Sequence, residues 1–167
     1  AIDYEYVVVE EERAPYRCSD PYRFRTVRFT AEDERLFVRG QHLRLFEKLG
    51  ARPTTRGGVS GVEFALWAPN AQRVSVVGTF NVWDGRRHPM QRVAACGVWE
   101  LFVPGIGVGD LYKYEIKTPH GSLFLKSDPF AIHAEPPPNC ASMVCNPVEE
   151  YTWRDEAWMC EGRVATV

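Results

Sequence analysis

The sequence has little of what usually carries chemistry. It contains no glycine-rich phosphate loop, no HExxH or GxSxG run and no CxxC pair. Those patterns supply phosphate cradles, zinc proteases, elbow-type serine hydrolases and dithiol redox centres. No apolar run is long enough to span a bilayer, and no basic stretch leads into an apolar one as a secretory leader would. Neither sign of charge dominates. Twenty basic and 22 acidic side chains leave a formal charge of −2, which offers no broad grip on nucleic acid or an anionic membrane. Cysteine is sparse and odd in number, at Cys18, Cys96, Cys140, Cys145 and Cys160. Cys140 and Cys145 lie close, but no neighbouring histidine completes a zinc set. The cysteines read as reduced thiols of a cytoplasmic protein, with no metal site. The four histidines are scattered along the chain. The carboxylates Asp84, Glu100 and Asp110 lie in or beside turns, with nothing to orient them as the pair that glycoside cleavage needs. No catalytic residue is assigned.

What is present is strand. The chain is 45% hydrophobic and 25% charged, a balance suited to a soluble globular domain. Val62, Phe64 and Leu66 alternate with Glu63, Ala65 and Trp67 before the Pro69-Asn70 turn. Val74-Ser75-Val76-Val77 ends at Gly78, and Val98–Val103 runs from Gly97 to Pro104-Gly105. Tyr112, Tyr114 and Ile116 alternate with Lys113, Glu115 and Lys117, and Leu123-Phe124-Leu125 precedes Ser127-Asp128-Pro129. Short strands with glycine and proline turns, and no helices between them, predict an antiparallel sandwich. Leu43, Phe46 and Leu49 recur at helical spacing, and Gly50 is placed to close that helix in a left-handed cap. Thr54-Thr55-Arg56-Gly57-Gly58 then reads as a linker.

The sequence also repeats weakly. A slide of 108 positions lays Tyr4, Tyr6 and Val8 on Tyr112, Tyr114 and Ile116. The same slide lays Tyr16 on Phe124 and Ser19-Asp20-Pro21 on Ser127-Asp128-Pro129 without a gap. Residues 1–24 therefore read as the last two strands of an earlier sandwich, and the start at Ala1 inside a strand pattern reads as truncation or processing. Two strands cannot bury an apolar face alone in water, so this segment needs a partner surface.

The expected architecture is all-β: an immunoglobulin-like β-sandwich with a short helical connector and a partial second sandwich at the N-terminus. Residues 1–26 are the earlier module's strands, 27–58 the connector and linker, 59–148 the main sandwich, and 149–167 a linker onward. The candidates for binding are aromatic. A sugar ring presents a flat C–H face that an exposed indole covers, while polar neighbours bond the hydroxyls. Trp83 lies in the polar loop Gly78–Gly85, where contact with a ligand and packing of the loop onto the sandwich are both open. Trp67 and Trp99 lie within strands and are expected in the core. Lys113 lies on the polar face of its strand, where a solvated role is its default.

These same residues carry a resemblance. Val62–Ala71 resembles the opening strand of the family-48 carbohydrate-binding module. Val76–Met90, with Trp83-Asp84-Gly85-Arg86-Arg87-His88-Pro89-Met90 inside it, resembles the glycogen branching enzymes more than the debranching enzymes that share the module. Gly97–Gly105, Leu111–Glu115 and Leu125–Ala131 continue the likeness in order. Upstream, Asp20–Phe24 and His42–Ala51 resemble the end of the extra N-terminal module of bacterial branching enzymes. Downstream, Tyr151, Trp153, Asp155, Trp158 and Met159 resemble the entry to their catalytic domain. Residues 160–167 match nothing in the pattern.

The resemblance implies a parent enzyme that cuts an α-1,4-glucan and rejoins the piece as an α-1,6 branch, with no cofactor. Its aspartate nucleophile and glutamate acid/base would lie in a barrel beyond this chain. It implies that Trp83 stacks on a glucose ring and Lys113 bonds hydroxyls, with Asn81 a third contact on the same loop. Related modules of regulatory kinase subunits carry a second tryptophan where this sequence has Phe124 and Leu125. The implied partners are α-glucan (glycogen or amylose chains) and the missing catalytic barrel of the same polypeptide, with no nucleic acid and no membrane. A free-standing glycogen-targeting module and a fragment of a debranching enzyme are the alternatives.

Overall fold

The computed structural model describes residues 4–10, 13–26, 28–146 and 154. The expected linker over 149–167 lies, Arg154 apart, outside them. The described chain opens with a hairpin of β1 (Tyr6–Glu10) and β2 (Arg13–Cys18), paired antiparallel. A 3-10 turn at Pro21–Arg23 follows, then helices α1 (Ala31–Val38) and α2 (Leu45–Lys48). The strands after them are β3 (Gly50–Arg56), β4 (Val59–Trp67), β5 (Arg73–Gly78), β6 (Gln91–Arg92) and β7 (Val98–Pro104). β8 (Leu111–Lys117), β9 (Leu123–Lys126), β10 (His133–Ala134) and β11 (Ser142–Met143) complete the order.

Two sheets face each other. One has the order β3-β4-β7-β6; the other runs β10-β11-β8-β5, with β9 also on β8. Alternation decides which side chains meet between them. Val62, Phe64 and Leu66 of β4, with Trp99, Leu101 and Val103 of β7, face Val74, Val76, Tyr112 and Tyr114 across one core. Phe64 and Tyr112 meet edge to face at 5.1 Å. The all-β, immunoglobulin-like sandwich expected from the strand pattern is the fold observed.

Three features depart from the expected architecture or add to it. Thr54–Gly58 is not a linker: β3 runs through Arg56 and pairs with β4 along its whole length, from Gly50 opposite Ala65 to Arg56 opposite Val59. Pro53 is tolerated there because β3 is an edge strand. The edge of the sandwich therefore lies near Gly50 rather than residue 59. Gly50 does take a left-handed φ of 88°, but the helix before it is a single turn.

The second change concerns α1. It was not foreseen because its apolar positions are few; a capping box in which Thr30 and Asp33 exchange bonds starts it. Burial alone would raise the Asp33 carboxyl, but bonds from Thr30, His42 and Lys48 outweigh it and hold it well below the usual range.

A third feature, on which the sequence was silent, is that the outer face of β4 and β7 is covered as well. Phe29 and Leu49 pack on Ala65 and Val98, and Phe24 meets Phe102 edge to face at 4.8 Å. Arg28 staples the layer down, donating to the carbonyls of Glu47, Leu49, Gly50 and Glu63. Glu100, buried beneath, accepts from the Phe29 amide at 2.6 Å. Residues 20–26 and 28–49 are thus a third layer. Burying these faces contributes on the order of 1.5–3 kcal/mol for each large apolar side chain.

Candidate functional site

The loop after β5 is built from the inside outward. A 3-10 turn, Thr79–Asn81, leads into Val82 and Trp83, both left-handed at φ 57° and 59°. Two such residues in succession, one of them β-branched, are held only where their surroundings enforce it. Trp83 donates its amide to the Gly78 carbonyl at 3.0 Å, and Asp84 donates to Asn81 at 3.1 Å. Arg86 bonds both Asp84 oxygens and keeps that carboxyl well below its ordinary range. Gly85 lies against the Glu115 carboxylate, which Arg73 pairs, and a Cβ there would collide with it. The loop is therefore seated on the outer face of β8.

That seat brings Trp83 and Lys113 into one cleft of about 440 Å³, together with Leu125, Glu135, Asn139 and Cys140. Trp83 keeps 36% of its surface exposed. The choice left open by its sequence context resolves as an exposed ring on a fixed loop. Lys113 donates to the Cys140 sulfur at 3.2 Å. The far wall is ordered by Glu135, which accepts from the Ala141 amide at 3.0 Å. The cleft offers an aromatic face, an aliphatic side chain and a cation with two further polar groups, which suits a ligand with apolar faces and hydroxyl edges.

Asn81 is corrected. It is fully buried and its amide is used internally: Oδ1 accepts from the Gly78 amide, and Nδ2 bonds the Val76 carbonyl and His88 Nδ1. It shapes the loop and touches no ligand directly. Trp67 is also corrected, since β4 turns it to the outer face with 48% exposure. There Phe37 meets it at 5.5 Å and its Nε1 donates to the Cys96 carbonyl. Trp99 is in the core as expected. The carboxylates do not converge. Asp84 is tied to Arg86, Glu100 is buried under Phe29, and Asp110 accepts from the Gly107 amide. Glu135, Asn139 and Cys140 were missed because their loop returns to β8 from beyond Asp128. Leu125 carried the one available signal, its outward place beside β8.

Fold and cleft together define a class: an immunoglobulin-like sandwich carrying an aromatic, hydroxyl-suited cleft on one outer sheet face. The family model for carbohydrate-binding module 48 (isoamylase N-terminal domain) matches residues 48–131, and the chain belongs to that family. It is 55% identical over 150 residues to a 1,4-alpha-glucan branching enzyme GlgB of Nostoc sp., covering 90% of this chain and 19% of that protein. With the corresponding enzyme of Cereibacter sphaeroides it shares 52% identity over 163 residues, 90% of this chain and 22% of that one. The chain thus spans about a fifth of these relatives, matching the region that holds the module. Among solved structures, a Klebsiella pneumoniae pullulanase complexed with maltotriose is 28% identical over 59% of this chain and 9% of its own, with a TM-score of 0.46. Among the described residues no helix is long and apolar enough to cross a membrane.

Proposed function

We propose that this chain is the glucan-binding and glucan-orienting part of a 1,4-α-glucan branching enzyme, acting in the cytoplasm on glycogen or amylose-like chains. Trp83 stacks on a glucose ring, Lys113 bonds its hydroxyls, and Leu125 extends the apolar floor. The observation that carries this reading is the meeting of Trp83 and Lys113, thirty positions apart, in one cleft with Leu125. Cleavage of α-1,4 links and their transfer to 6-hydroxyls belong to a catalytic barrel elsewhere in the polypeptide, towards which the module guides chains. The register that β1–β2 shares with β8–β9 from Tyr6 to Val8 supports reading β1 and β2 as part of a second sandwich of the same kind.

The test is native electrophoresis in gels containing glycogen. This chain should be retarded, and Trp83→Ala should bind about tenfold more weakly, a loss of about 1.4 kcal/mol. Equal migration of both proteins with and without polymer rejects the reading.

A further inference from the structure

The turn that leads into the left-handed pair Val82–Trp83 is anchored by the buried side-chain amide of Asn81. Asn81 Oδ1 accepts from the Gly78 amide at 2.9 Å, and Nδ2 donates to the Val76 carbonyl at 2.9 Å. Flipping the amide would set oxygen against oxygen and N–H against N–H, so its orientation is fixed. Nδ2 also lies 2.8 Å from His88 Nδ1. An amide nitrogen only donates, so Nδ1 is the bare acceptor and the imidazole is neutral, with its proton on Nε2. The ring has little freedom to turn away. The His88 carbonyl accepts from the Val76 amide at 3.0 Å, and Phe80 meets the ring at 5.7 Å.

We propose that His88 is a positioning residue for Trp83: its neutral ring locks Asn81, Asn81 enforces the left-handed Val82–Trp83 turn, and protonation of His88 releases the indole from the glucan cleft. This rests on the glucan-binding reading of that cleft. The groups facing His88 agree with a neutral ring. Arg87 adjoins it in sequence, and across a cleft of about 420 Å³ stand Tyr16 and Arg17 of β2. Arg17 is paired with Glu5, and no carboxylate is among the described residues lining that cleft. Burial and then Arg87 lower the His88 pKa from its ordinary value. For a histidine with a depressed folded pKa, the stabilising contribution is present above the unfolded value, about 6.5, and is lost as pH falls through the folded one.

The experiment titrates the whole chain from about pH 7.5 to about pH 5, following maltoheptaose affinity and, without ligand, the ¹⁵N-labelled indole signals. The Trp83 signal is assigned with Trp83→Phe. Affinity should fall about tenfold on acidification, and the Trp83 signal should move along the same curve while those of Trp67 and Trp99 stay in place. His88→Asn, whose Oδ1 replaces Nδ1 and cannot titrate, should bind with no such pH dependence. A stationary Trp83 signal in the unliganded chain overturns the proposal. So does a shift that Trp67 and Trp99 share with Trp83, or an unchanged pH dependence in His88→Asn. If maltoheptaose fails to bind at neutral pH, the glucan reading falls, and the unliganded titration still decides the clamp.

Discussion

The two hairpins β1–β2 and β8–β9 are the same object in different company. A shift of 108 positions turns the pairs Tyr6–Cys18 and Val8–Tyr16 into Tyr114–Lys126 and Ile116–Phe124; beyond Val8 the register of β1–β2 shifts to Glu10–Arg13, whereas β8–β9 continues unshifted to Lys117–Leu123. Their closing aspartates repeat as well. Tyr4 donates its hydroxyl to Asp20 Oδ2 as Tyr112 does to Asp128 Oδ2. The amides of Tyr22 and Phe130 both reach the matching Oδ1 at 2.8 Å. Burial separates them: Tyr112 and Tyr114 are at most 1% exposed, Tyr4 and Tyr6 are 41% and 53% exposed. Both tyrosine pairs meet edge to face, Tyr4–Tyr6 at 5.6 Å and Tyr112–Tyr114 at 5.8 Å, but only for Tyr112 does the opposite sheet add Phe64. The bond to Asp20 pushes the Tyr4 hydroxyl up to about 12, and Tyr112, raised by burial first and Asp128 second, goes further. Short-range pattern thus sets the hairpin, its register and its aspartate turn, whereas burial comes from whatever sheet lies across.

That division predicts unequal costs for equivalent changes. The largest is Tyr114→Ala, which empties a fully buried site and should cost about 4 kcal/mol in urea unfolding. Tyr6→Ala, at a half-exposed site, should cost under about 1 kcal/mol. Similar losses would mean that the first hairpin is as integral to the fold as the second. Next is Asp128→Ala. It strips an acceptor from the buried hydroxyls of Tyr112 and Tyr114 and from the Phe130 amide, and should cost about 3 kcal/mol. Asp20→Ala loses a turn cap beside one exposed tyrosine and should cost about 1 kcal/mol. A ratio near one, read from the same unfolding curves, would break the comparison.

The same division governs how much was legible beforehand. Strands β4, β5, β7, β8 and β9, the inner faces of β4 and β8, and the repeat all follow from period-two alternation and turn residues, which are local. The third layer does not. Glu63 and Glu100 interrupt the outer faces with charge, and their burial depends on Arg56 and on the amide of Phe29 from elsewhere in the chain. β3 was mistaken for a linker because its threonines and glycines are common to edge strands and loops. At the site, residue type and placement left Trp83 open between ligand contact and packing and Lys113 as a solvated lysine; the family resemblance singled them out, and the fold brings them into one cleft. Asn81 was misjudged because a polar residue in a loop reads as exposed, and only the fold shows its amide closed on Gly78, Val76 and His88. The wall from Glu135 to Ala141 reaches the cleft through chain return, which no local pattern encodes.

The smallest expected effect tests the outward faces, where the repeat diverges in chemistry. The 108-position shift carries Glu5 onto Lys113 and Arg17 onto Leu125. In β8–β9 those positions border the Trp83 cleft. In β1–β2 they hold an ion pair at 3.5 Å with Arg17 81% exposed, the kind of pair that water and salt largely screen. Lys113→Ala should therefore weaken retardation in glycogen gels about fivefold, roughly the net worth of one ordinary hydrogen bond. Arg17→Ala should leave both retardation and unfolding midpoint unchanged. If Arg17→Ala weakens retardation as much as Lys113→Ala does, the first hairpin also lies against the polymer. Glucan contact would then extend across both copies of the repeat, and the ion pair would have to be read as part of the binding face.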